Sequence, residues 1–113
     1  MSFTATQYLF KASIPTSTVT ATAGGYTVPA ATRFSIIALT LANTATTNLT
    51  TYADVSLFDG TTAYPIGVKF PLYPGGNLAV EGVLKHTLPT GGAVYVTAYS
   101  TNVSVAMSGV EIT

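Results

Sequence analysis

The stretch Arg33-Phe34-Ser35-Ile36-Ile37-Ala38-Leu39-Thr40-Leu41-Ala42 decides the fold. It is the longest strand-like run in the chain, rich in isoleucine, leucine and threonine, with no glycine or proline inside it. Its odd positions hold Ile37, Leu39 and Leu41, and its even positions hold Phe34, Ile36 and Ala38. Both faces are therefore apolar over the first half. A sandwich strand with one wet face should alternate apolar and polar. The pattern predicts either a central strand covered on both sides or a second face that meets another subunit.

The same β signal continues outward in both directions. Threonine is the commonest polar residue, with 21 copies in 113 residues, and it favours a pleated surface as valine and tyrosine do. Short runs are separated by turn clusters at fairly even spacing, the mark of a sandwich or barrel. Upstream, strands are expected near 8–12 and 17–22, then a turn at Ala23-Gly24-Gly25 and an extended Tyr26-Thr27-Val28-Pro29. Downstream, one strand covers about Thr51 to Phe58 with Val55 and Leu57 inward, and Asp59-Gly60 signals a hairpin. The next covers about Tyr64 to Phe70, with Ile66, Val68 and Phe70 on one face. From Asn77 to Leu88 the alternation is strict, with Leu78, Val80, Leu84 and Leu88 on one side. The last two strands cover about Ala93 to Ser100 and Val103 to Ile112. A bulge near Ser108-Gly109 would turn Val110 and Ile112 inward together with Val103, Val105 and Met107. The reading is an all-β chain: a single antiparallel β-sandwich of about eight strands over residues 1–113, jelly-roll or immunoglobulin-like.

Charge bounds the function. Eight residues of 113 are charged, or 7%, and the net charge is zero. An ordinary domain carries about 25% charge, and a lone soluble protein keeps a net charge away from zero. A surface this poor in charge fits a subunit whose flanks other proteins cover. Zero net charge argues against nucleic-acid binding, which needs clustered lysine and arginine. No apolar run approaches the roughly 20 residues of a membrane helix, and no signal peptide is visible at the start. There is no cysteine, so neither disulfides nor thiolate metal sites are expected.

Catalytic chemistry finds no foothold. His86 is the single histidine, in the inward parity of its strand, and nothing places a carboxylate and a nucleophile beside it. Asp54 and Asp59 fall in opposite strand parities, which does not suit a carboxylate pair. Asp59 reads as a turn residue and Asp54 as a partner for a lysine or for solvent. No enzyme activity, cofactor or metal is expected.

The candidate functional residues are instead apolar and aromatic. Tyr64, Tyr73, Tyr95 and Tyr99 read as surface tyrosines: a cross-strand packing ladder, a protein interface or a surface that stacks on sugars. Phe34 and Ile36 supply the second apolar face of the long strand. Phe3, Tyr8, Leu9 and Phe10 lie near a chain end, so residues 1–12 read as a docking segment. The protein-interface set is thus Phe3, Tyr8, Phe10, Phe34, Ile36, Tyr73, Tyr95 and Tyr99.

One layout is familiar. Tyr26-Thr27-Val28-Pro29-Ala30 leads into Ser35-Ile36-Ile37-Ala38-Leu39-Thr40-Leu41-Ala42-Asn43-Thr44, and Pro74-Gly75-Gly76 follows. Then come Leu88-Pro89-Thr90-Gly91-Gly92-Ala93-Val94-Tyr95-Val96 and the closing Ser108-Gly109-Val110-Glu111-Ile112. Across nearly the whole chain this resembles the small β-sandwich virion proteins of tailed bacteriophages. The resemblance implies a structural role, since proteins of that kind decorate capsids or sit at the neck, tail and fibres; the leading expectation is a capsid decoration (cement) protein stabilising the major capsid lattice, made in the host cytoplasm and carried on the virion. It implies major capsid protein or other virion proteins as partners, and a homo-oligomer such as a trimer. The alternative it leaves is a tail, neck or fibre component contacting host glycans. It carries over no catalytic or metal residue.

Overall fold

The computed structural model describes residues 6–13, 20–22, 25–45, 48–100 and 102–113, with backbone and pairing alone for 6–13 and 20–22. Nine strands follow in chain order: β1 (Thr6–Ser13), β2 (Thr20–Thr22), β3 (Arg33–Asn43), β4 (Thr51–Phe58), β5 (Ala63–Leu72), β6 (Asn77–Ala79), β7 (Thr87–Leu88), β8 (Ala93–Ala98) and β9 (Val103–Ile112). A 3₁₀ turn, Glu81–Val83, lies between β6 and β7.

The pairing is nested. β1 pairs with β9, β2 with β8, β3 with β6 and β7, and β4 with β5, all antiparallel. The chain is thus one long hairpin, rolled up so that β9 also meets β3 and β8 also meets β4. Rolling yields two sheets, β1-β9-β3-β6 with β7 on β3, and β2-β8-β4-β5. This is jelly-roll topology, and it decides between the two sandwich types the sequence allows. Strands β4 and β9 alternate buried and half-buried residues almost throughout, as one inward face requires. The core is filled from one sheet by Val55 and Leu57 of β4 with Val94 and Val96 of β8, and from the other by Val103, Val105 and Met107 of β9 beside the apolar residues of β3.

The doubly apolar β3 has a different cause from either expected one. Opposite β9 its register shifts between Ile36 and Ala38, leaving Ile37 as an extra residue. A bulge changes strand parity, so Phe34 and Ile36 point inward before it and Leu39 and Leu41 after it. Phe34, Ile36, Leu39 and Leu41 fill the same core, while Ile37 is left outside, 47% exposed, and Ala38 takes the outward, half-buried parity. The bulge lies on β3, directly across from the Ser108-Gly109 position in β9. β9 itself runs regularly, and Val110 and Ile112 stay half-buried.

The Asn77-to-Leu88 segment is also broken where strict alternation predicts one strand. Val80 N–H donates to Leu39 O at 2.9 Å and Lys85 N–H to Ile36 O at 3.0 Å. Between those anchors the 3₁₀ turn loops out, beside the β3 bulge. Val80, Val83 and Leu88 become the buried residues, while Leu78 and Leu84 are half-buried. His86 lies exposed after this irregularity, not inward.

Glycine matters most at Gly109. A Cβ there would lie 2.3 Å from Phe34 Cζ and 2.4 Å from Ser35 O. The Phe34 ring occupies the space that a side chain at 109 would take, and it packs against the Tyr26 ring at 4.8 Å.

Candidate functional site

The antiparallel course sets two distinct ends. The strand starts and stops place Arg33, Asp59 and Glu111 at or next to one end, with the turns 59–62 and 89–92. The other end gathers the described parts of the connections that follow β3, β5 and β8: 44–45 and 48–50, 73–76, and 99–100 with 102. Among the described residues, the outer face of the β2-β8-β4-β5 sheet carries a cluster of four aromatic side chains, Tyr52, Phe58, Tyr95 and Tyr99.

That face is built by β4 and β8. Val55 and Leu57 point into the core, so Tyr52, Asp54, Ser56 and Phe58 take the outward positions. On β8 the outward positions fall to Tyr95 and Thr97, with Tyr99 just beyond. Phe58 and Tyr95 stack at 4.9 Å with planes 21° apart, and Tyr52 and Tyr99 meet edge-on at 6.1 Å. Such cross-strand pairs each contribute about 0.2–1 kcal/mol to sheet stability. The Tyr99 hydroxyl donates to Asp54 at 3.0 Å, and this bond holds its pKa above the usual tyrosine value. The Lys69 ammonium lies 5.2 Å from the centre of the Tyr52 ring, within cation–π range.

β5 is the edge strand beside β4, and its ladder is interrupted. Register shifts fall between Ala53 and Val55 and between Val55 and Ser56, both taken up by extra residues in β5. Pro65 and Pro71 remove two donors from it, Lys69 adopts φ +57°, and Lys69 N–H is met by the Asp54 carboxylate at 2.6 Å. Prolines, bulges and lysine are the devices that stop an edge from pairing with another chain. Val68 stands 68% exposed within this irregular edge.

The expected interface residues separate into three groups. Phe34 and Ile36 are core residues, 0% and 1% exposed, because the bulge turns them inward; they are removed from the candidate interface. Tyr73, Tyr95 and Tyr99 reach the surface: Tyr73 is 65% exposed, Tyr99 lies over Asp54, and Tyr95 is half-buried under the stacked Phe58. Phe3 lies outside the described residues. Tyr8 and Phe10 belong to β1, in register with Val110 and Ser108 of β9. The backbone of residues 6–12 is therefore an edge strand of this chain's own sheet, where the sequence favoured a docking arm on a neighbour.

Sequence reading missed Tyr52 and Phe58; it expected a lysine or solvent for Asp54, and the group that meets the carboxylate is the backbone N–H of Lys69. The signal for the first two was present: Val55 and Leu57 inward force the even positions of β4 outward. It also missed Leu49, 43% exposed at the end where β3 finishes. That end is held by Asn43, which is 3% exposed. The Asn43 amide donates to Leu49 O and Leu72 O, both at 2.8 Å, and its carbonyl accepts Ala45 N–H at 2.9 Å. Thr51 and Ser100 hydroxyls share a 2.7 Å hydrogen bond close by.

Among the described residues, no three potential metal ligands gather and no pocket opens. No helix there is long and apolar enough to cross a membrane. No protein-family model matches the chain, and no curated protein matches it. Jelly rolls serve viral capsid proteins and lectins alike, so the fold leaves the function to be argued from the surface.

Proposed function

We propose that this chain is a non-enzymatic structural protein of a tailed-phage virion, a decoration protein that stabilises the major capsid lattice. One observation supports it most. Among the described residues six large hydrophobic side chains, Ile37, Leu49, Tyr64, Val68, Tyr73 and Tyr99, stand exposed, on a chain with eight charged residues in total. Scattered exposed hydrophobics are normal on any protein; their conjunction with so little charge is not. Burying them against neighbouring subunits removes the cost of hydrating them. A standard interface buries about 1,600 Å², and association and ordering costs offset most of its gross gain. Many copies on a closed lattice make up the difference through multivalency. The resemblance to phage virion proteins points the same way, and a homo-oligomer such as a trimer suits it.

A second reading draws on Tyr64 and Tyr73, both more than half exposed. Open tyrosine rings suit stacking on sugars, as in a tail, neck or fibre component that meets a host glycan. An image reconstruction of the parent particle separates the two. Density for this fold across the capsid lattice supports decoration. Density confined to the tail favours the second reading, and no density anywhere on the particle removes both.

A further inference from the structure

The two sheets have four edges, and three of them are poor templates for another strand. β5 carries Pro65, Pro71, two register shifts and Lys69 at φ +57°. The β6–β7 edge is three and two residues long and is split by the 3₁₀ turn. β2 has three residues. Short strands, bulges and prolines are the devices that keep sheet edges from pairing with other chains. β1 has no bulge, no break and no proline. It runs eight residues in unshifted register with β9, and Thr6-Gln7-Tyr8-Leu9-Phe10-Lys11-Ala12-Ser13 contains no glycine either. Its one charge is Lys11. Among the described residues no strand pairs with its other side. A long, regular edge presents a row of backbone N–H and C=O groups that another strand can meet.

We propose that β1 pairs antiparallel with β1 of a second copy, about a two-fold axis at Leu9, joining two β1-β9-β3-β6 sheets into one. The sequence of the strand selects the partner. A two-fold axis sets a strand against itself reversed, so the strand must match its own reading backwards. Gln7-Tyr8-Leu9-Phe10-Lys11 does so by residue type: polar, aromatic, leucine, aromatic, polar. An axis at Leu9 puts Tyr8 opposite Phe10 and Gln7 opposite Lys11, each pair twice, and Thr6 opposite Ala12. Aromatic pairs across strands are favourable, and like charges directly opposite are not. This register supplies the first and avoids the second. An axis at Phe10 would set Leu9 against Lys11, and one at Lys11 would set lysine against lysine. A strand from a different protein imposes no such symmetry on β1. In pairing of this kind main-chain hydrogen bonds supply the affinity and the alternating side chains supply the register. The contact is independent of where the chain serves; on a capsid lattice it would link neighbours at two-fold positions.

The chain has no cysteine, so one introduced cysteine reports the register. Residues directly opposite in antiparallel strands have Cα atoms about 4.5–5.5 Å apart, within disulfide reach. Under mild oxidation of the purified full chain, Leu9→Cys should give roughly tenfold more covalent dimer than Lys11→Cys. The two copies of position 11 stand four residues apart along the ladder, about 13 Å. The unmodified chain should sediment as a monomer–dimer mixture that shifts with dilution. A second pair of variants keeps the test open if Leu9→Cys does not fold. Tyr8 and Phe10 are in register with the half-buried Val110 and Ser108, on the outward parity of β9, so thermal melts should show them tolerant of change. The double variant Tyr8→Lys with Phe10→Lys should sediment as a monomer, and so should Tyr8→Glu with Phe10→Glu. Mixing the two should restore the dimer. An unmodified chain that stays monomeric at every concentration overturns the proposal. So does equal crosslinking at positions 9 and 11, or a dimer that the lysine variant leaves intact. Each of those results concerns the isolated chain and leaves the virion reading to its own test.

Discussion

The Asp54 carboxylate accepts the backbone N–H of Lys69 at 2.6 Å, at the point where β5 turns to φ +57°. The bulge takes that amide out of the ladder, and Asp54 supplies the acceptor the ladder no longer does. Asp54→Ala should therefore destabilise the fold by about 1 kcal/mol, the usual net worth of one hydrogen bond. Lys69→Gly should be close to neutral, because relief of left-handed strain of about 1 kcal/mol offsets the lost contact with Tyr52. Urea midpoints of both variants check this pair. Equal losses for the two would contradict it.

Gly109 and Gly25 make a second comparison. Gly109→Ala sets a methyl group against Phe34 Cζ and a backbone oxygen, and should cost about 2–3 kcal/mol. Gly25 has φ +71° with nothing within 4 Å of a built Cβ. Gly25→Ala should cost about 1 kcal/mol from backbone strain alone. Thermal melts that rank them the other way would contradict the packing of Phe34 over β9.

The β3 bulge predicts opposite behaviour for adjacent isoleucines. Ile36 is buried and Ile37 is the bulged, half-exposed residue. Ile36→Ala should cost about 2–4 kcal/mol and Ile37→Ala less than about 1. A doubly covered β3 would make the two costs similar, so chemical denaturation of the pair reads the bulge directly.

High pH should loosen the end that carries Glu111. The Tyr26 hydroxyl donates to Glu111 at 2.5 Å across 85 residues of sequence. Burial, and then this bond, push the Tyr26 pKa well above its ordinary value near 10. A raised folded-state pKa contributes stability that is fully present below the unfolded value. It is lost as pH rises from about 10 toward the folded value, because the unfolded chain releases its proton first. Denaturant midpoints should be level from pH 8 to 9.5 and fall above 10. Tyr26→Phe should flatten that fall; an unchanged slope would mean the contact is absent in solution.

Local features were legible and long-range ones were not. The Asp59-Gly60 signal names its turn correctly: Asp59 accepts Thr61 and Thr62 N–H at 2.8 and 2.7 Å, and Gly60 takes φ +98°. The same bonds hold the Asp59 pKa below the usual carboxylate range. Sandwich class was legible from strand parity, but jelly-roll order was not, because it depends on β1 finding β9 about a hundred residues away. The β3 bulge hid behind a real ambiguity. Phe34 and Ile36 against Leu39 and Leu41 read as two apolar faces, and a one-residue insertion makes them one. That error carried two core residues into the candidate interface. Tyr95 and Tyr99 were placed outward because their parity opposes Val94 and Val96. Leu49 was not, since a lone leucine in a polar loop has no period to betray it.

Architectural use on a phage capsid is the claim on which the functional account depends. Counting this chain in purified parent particles, by mass spectrometry against a labelled standard, tests it most directly. A decoration protein should be present in copies comparable to the major capsid protein, on the order of hundreds per closed lattice. Six or twelve copies would move it to the tail, and particles without it would contradict the account.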